Sequence, residues 1–215
     1  MTSYPNPRTG RQETWVSLFA SGALLAMALI ALSPGQSAAQ DGGYTPKFTP
    51  DGQMMLPDVE VWRTWPYVGT PLTPNALNGG EAPFPEFHSV YIDPVSWDHW
   101  RKTGEVRDGA VLAKELVTVY DVNAHADGST DQVSGRGYFM GDFAGFEIAY
   151  KSAKHFPNEP GHWGYFSFGH HAPPYAAATN RMPTEACNAC HQANAADDFV
   201  FTQFYPVLRA AKAME

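Results

Sequence analysis

Cysteine is nearly missing from this chain. Its 215 residues contain two, Cys187 and Cys190. No second cysteine pair exists to complete a zinc site. Charge is scarce as well, with Asp, Glu, Lys and Arg making up 17% of the residues. Positive charge is the scarcer kind, with 14 Lys and Arg against 22 Asp and Glu and a formal net charge of −8. So acidic a chain is a poor partner for nucleic acid or an anionic membrane, although a basic redox partner could dock on it. There is no internal repeat. Aromatic residues, at 13%, together with 19 Gly and 18 Pro, suit one domain with an aromatic core and many turns.

Both cysteines fall in Cys187-Asn188-Ala189-Cys190-His191, the C-x-x-C-H spacing that attaches a c-type haem. Two thiols on one helical turn can reach the vinyl groups along one porphyrin edge, and His191 can ligate the iron. The alternatives are a structural disulfide, half a zinc site, or a thioredoxin-type pair. The last belongs after the first strand of a βαβ unit, whereas this motif lies near the C-terminus. With both thiols used, one haem c per chain and no disulfide are expected.

Covalent haem attachment requires export, and the N-terminus is consistent with it. Arg8 and Arg11 precede an apolar run from Trp15 to Leu32, and Ser37-Ala38-Ala39 supplies small residues for cleavage. Residues 1–39 read as a secretory signal peptide, which implies a periplasmic protein. An uncleaved anchor is the alternative, because the run could almost span a bilayer. Residues 40–55 read as a flexible lead-in and 56–215 as the haem domain.

Period and punctuation predict a mainly β (α+β) fold. It is an antiparallel β-sheet domain with short helices and a C-terminal haem-binding helical segment. Helices are expected over 56–65 and 96–103, from Ala172 onward, after an N-cap at Thr184, and over 199–213 with a kink or restart at Pro206. Strands are expected over 87–92, 110–121, 138–150 and 163–168. Residues 66–86 and 123–137 read as loops. In 87–92, His88, Val90 and Ile92 alternate with Phe87, Ser89 and Tyr91. Gly141 and Gly145 suggest a bulge or a close approach by a ligand.

Only Met214 follows the motif, so the far side of the iron has no obvious methionine ligand and suits small-molecule chemistry. His88, His99, His125, His155, His162, His170 and His171 are available as a second ligand, but each reads better as a surface histidine. Lys114 stands between Leu112 and Leu116 on an apolar strand face. It reads either as a snorkelling or edge-guarding lysine, or as a desolvated amine whose lowered pKa makes it a nucleophile. Glu147, in an aromatic strand, reads either as a partner for a nearby Lys or Arg, or as a carboxylate that takes protons from a bound ligand. Asp142 is an alternative in a turn-like setting.

At several segments the chain resembles the cytochrome P-460 proteins, periplasmic mono-haem c-type cytochromes of ammonia- and methane-oxidising bacteria. They are Val90-Tyr91-Ile92-Asp93-Pro94, 100–105, 107–109, Lys114-Glu115-Leu116-Val117, 137–142, Asn158-Glu159-Pro160-Gly161 and 204–212. The resemblance spans about Leu56 to Lys212. It implies a mainly β homodimer that oxidises hydroxylamine to nitric oxide or nitrous oxide and passes electrons to a soluble c-type cytochrome. Cys187 and Cys190 would carry the thioether bonds and His191 would be the axial ligand. Lys114 would be the lysine that bonds to a porphyrin meso carbon, and Glu147 the distal carboxylate. Whichever of Phe139, Phe143 and Phe146 face the haem would wall the pocket. A sister family, the β-type cytochromes c-prime, lacks that lysine and binds nitric oxide without turnover. A six-coordinate electron carrier is the third reading.

Overall fold

The computed structural model describes residues 43–73 and 86–212. The signal-peptide segment 1–39 and part of the expected 66–86 loop lie outside them. Among the described residues no helix is long and apolar enough to cross a membrane.

The chain begins with β1 (Met54–Met55), α1 (Val59–Trp62), β2 (Tyr67–Gly69) and β3 (Leu72–Thr73). Then come β4 (Glu86–Ile92), α2 (Pro94–Thr103), β5 (Val111–Val119) and a small hairpin of β6 (Thr130–Gln132) and β7 (Gly135–Gly137). β8 (Met140–Lys151), β9 (Trp163–Ser167), β10 (Ala178–Thr179), α3 (Asn188–Asn194) and α4 (Pro206–Ala211) complete it. The main sheet has six strands in the order β2-β4-β5-β8-β9, with β3 also on β4, and every pair is antiparallel. The expected fold class is therefore the observed one.

β5 is central and largely buried on both faces, as its Val, Leu and Ala residues on either side of Lys114 and Glu115 require. Successive side chains point to opposite faces. On one face Val111, Ala113, Phe146, Ile148, Tyr150, Phe166 and Phe168 pack under Trp62, Trp65, Met54 and Phe156. On the other, Val90, Ile92, Leu112, Trp163 and Tyr165 pack under Trp100, Val200 and Leu208. Asp93 caps α2 by accepting from Ser96 N at 2.9 Å and also accepts from Val111 N at 2.8 Å, tying helix to sheet. Trp100 Nε1 donates to Leu208 O at 2.8 Å, which locks α2 onto α4.

Several expected elements differ. The lead-in is not loose from Gly43 on, because Tyr44 and Phe48 pack on the aromatic core and Met54 is fully buried. The 66–86 segment contributes β2 and β3. No helix begins at Ala172, since Ala176 N donates to Phe168 O and Ala177 O accepts from Leu56 N. Those sheet-like bonds use the backbone groups a helix would need. The C-terminal helix restarts at Pro206, whose missing N–H costs nothing at the first helical position.

Candidate functional site

The second face is the one that faces the haem motif. Register sets Lys114 opposite Glu147 across β5 and β8, and Lys114 Nζ lies 2.5 Å from Glu147 Oε2. Their side chains are 31% and 34% exposed, respectively. Burial acts to lower the Lys114 pKa, but the Glu147 charge and hydrogen bond outweigh it, so the net shift is upward. Of the two readings of Lys114, the amine with a lowered pKa is the one corrected: its partner favours the ammonium.

Cys187 sits at the N-cap of α3, and Cys190 follows one turn later on the same side. Neither thiol is in a disulfide. Thr184 is not the cap, because its hydroxyl is taken by Glu159 at 2.7 Å. Asn188, fully buried between the cysteines, anchors the motif by donating to Trp163 O at 2.8 Å.

His191 Nδ1 donates to Phe199 O at 2.7 Å, leaving Nε2 for a metal. The carbonyl is aimed by a tight turn, in which Asp198 and Phe199 have φ of 38° and 63° and Val200 N donates back to Asp197 O at 2.7 Å. The ring of His191 lies 4.4 Å from that of Tyr165 and 4.6 Å from that of Phe201. Burial pushes the His191 pKa down, which favours the neutral, metal-ligating imidazole. Burial pushes the Cys187 thiol up, and the Glu147 charge adds to it. Both Cys187 and His191 feel the charges of Lys114 and Glu147, so motif and ion pair border one space.

These residues fit a covalently held haem. Two free thiols at thioether spacing and an imidazole with one nitrogen already engaged are the donor set it needs. Tyr165 Oη is a further sign, since it is buried beside these groups with no hydrogen-bond partner among the described residues. Tyr205, whose pKa burial raises, lies near Lys114 on the same side.

Two of the three candidate wall residues face away from the site. Phe146 is on the opposite face, stacked on Trp62 at 4.7 Å. Phe143 lies under the Arg63 guanidinium, which pairs with Glu115 at 2.6 Å on that same opposite face. The bulge between Leu116 and Val117 fixes which side Phe143 takes. The rings on the site's side include Tyr165, Phe199, Phe201 and Tyr205, none of which the sequence marked as a site residue. Their signal was alternation in 163–168 and proximity to the motif in 199–205. Gly145 serves the chain itself: a Cβ there would come within 2.8 Å of Leu116 Cδ1 and 2.9 Å of Gly169 O.

A sheet face that offers C-x-x-C-H across from a lysine–carboxylate pair defines a c-type haem cytochrome. The sequence model of the cytochrome P460 family matches residues 59–202, and the chain belongs to that family. A comparison with curated proteins gave no match. Haem binding and a haem-dependent oxidoreductase role go with the family.

Proposed function

We propose that this protein oxidises hydroxylamine at a single haem c, with nitric oxide or nitrous oxide as product. The observation that carries the reading is the Lys114–Glu147 pair beside the haem motif. A gas-binding or electron-carrying cytochrome needs no charged pair there. The haem supplies the redox centre that accepts the substrate's electrons. Oxidation of hydroxylamine also releases protons, and Glu147 is the carboxylate in place to take them. Lys114 orients that carboxylate as an ammonium and, after giving up a proton, would be the residue that bonds the porphyrin edge. Cys187 and Cys190 would hold the group, and His191, whose Nδ1 is engaged by Phe199 O, would ligate it.

The wider setting belongs to the same proposal. The signal-like segment 1–39 directs the chain to the periplasm, where it acts as a homodimer and passes electrons to a soluble c-type cytochrome. The C-x-x-C-H motif, the apolar run and the family membership support this.

The test is a visible spectrum of the reduced protein together with turnover of hydroxylamine using an artificial acceptor. A broad, red-shifted Soret band and turnover support the reading. A sharp c-type spectrum, with nitric oxide bound but no turnover, would replace it with the gas-binding alternative.

A further inference from the structure

Beyond the Lys114–Glu147 pair, the same sheet face carries a second polar group. β4 and β5 pair so that Val90 faces Lys114, His88 faces Leu116 and Glu86 faces Thr118. Residues two apart share a face and step about 7 Å along the strand. His88 and Glu86 are therefore the next positions outward from the haem side. Glu86 is held from both sides. Its Oε1 accepts from His88 Nε2 at 2.8 Å and its Oε2 from His170 Nε2 at 2.8 Å. Thr73 Oγ1 lies 3.1 Å from the same His88 nitrogen. Side-chain exposure rises outward, from 13% at Glu86 to 48% at His170.

His170 reaches this face because Gly145 lets the following loop cross close to it. A Cβ on Gly145 would sit 3.4 Å from His170 Cα. The cluster is not a metal site: among the described residues no His, Cys, Asp or Glu group is arranged to hold a metal ion. The two imidazoles grip opposite oxygens of one carboxylate instead of converging on a point.

We infer that Glu86, His88 and His170 form a proton exit from the Glu147 side of the haem site to solvent. Imidazole is the side chain best suited to pass protons near neutrality, and here two of them flank one carboxylate. Burial acts to raise the Glu86 pKa, but the two imidazole bonds outweigh it and keep the carboxylate ionised as a standing acceptor. The charge of Glu86 also acts on Lys114, in the direction that keeps it protonated. The positions between them, Leu116 and Gly145, carry no titratable group, so solvent water must complete the path. A proton accepted by Glu147 crosses that water to the Glu86–His88 pair and leaves from His170. None of these three residues touches the reacting atoms. They act through Glu147.

This inference rests on the proton-releasing reaction proposed above, and its test does not require that reaction. Hydrogen cyanide sheds a proton when it binds a ferric haem as cyanide. The haem-loaded protein is mixed with cyanide in weak buffer, with binding followed at the Soret band and proton release by a pH-indicator dye. In the unaltered protein the two signals should rise together. In His170→Gln, and independently in Glu86→Gln, the dye should lag by about tenfold or more while the Soret change keeps its rate. A dye signal that still tracks binding overturns the inference. So does a parallel slowing of both signals, which would place these groups in ligand access. Absence of hydroxylamine turnover would count against the proposed reaction alone.

Discussion

Lys114 Nζ and Glu147 Oε2 meet at 2.5 Å as direct cross-strand partners, one from β5 and one from β8. Cross-strand partners are held by the ladder itself, so the pair's position does not depend on a mobile loop. The two halves of the pair have separable roles. Lys114→Met should give a sharp, ordinary c-type spectrum, with the haem still attached through Cys187 and Cys190. Glu147→Gln should keep the broad band and lower hydroxylamine turnover by about 10²-fold or more. Reduced spectra and steady-state rates of the two variants check this. Equal rates in Glu147→Gln and the unaltered protein would remove Glu147 from proton transfer.

The carbonyl that engages His191 depends on a glycine far from it in sequence. Gly161 has a φ of 61°, and a Cβ there would lie 2.4 Å from the Phe199 ring. Gly161→Ala should therefore displace Phe199 and weaken its hydrogen bond to His191. The expected cost is about 1–3 kcal/mol of stability, from strain and overpacking. A weaker bond makes the imidazole less basic, so the haem reduction potential should rise. Denaturant unfolding and spectroelectrochemical titration measure the two effects.

A change on α2 should act on stability alone. Trp100 is 1% exposed, and its indole N–H is the bond from α2 to the last turns of the chain. Trp100→Ala should cost about 3–5 kcal/mol, read as a lower urea midpoint. The spectrum of the protein that remains folded should be unchanged.

Sequence pattern made the motif, the strand order in the chain and the two charged residues legible, because each carries a local signal. C-x-x-C-H is a fixed spacing, β5 is rich in Val, Leu and Ala, and Lys114 and Glu147 stand out as charges with apolar residues on their strand faces. Register was not legible. Alternation shows that His88 shares a face with Val90, but only pairing across β4 and β5 shows that Val90 faces Lys114. The same gap left open which of Phe139, Phe143 and Phe146 face the site. Phe146 adjoins Glu147 in sequence, and for that very reason it points to the other face. The bulge at Leu116 and Val117 then governs where Phe143 goes, and a bulge has no reliable sequence signature. His170 comes from a loop whose approach depends on Gly145, a contact no single-strand reading contains.

The Glu86 cluster should be visible in the acid limb of the stability curve. The Glu86 pKa is lowered from the usual 4.5 because burial, which acts upward, is outweighed by the His88 and His170 bonds. Between that lowered value and 4.5 the unfolded chain binds more protons than the folded one, so stability rises with pH there. The contribution is complete above 4.5 and is lost as pH falls through the folded value. Glu86→Gln removes the charge and keeps the shape. It should cost about 1–3 kcal/mol at pH 6, where both charge-assisted bonds are present. Below the folded value the native carboxyl is itself protonated, and the two proteins should converge. Urea unfolding of both at pH 6 and in the acid range tests this. A difference that stays constant with pH would mean that Glu86 contributes packing alone, with no charge held by the two histidines.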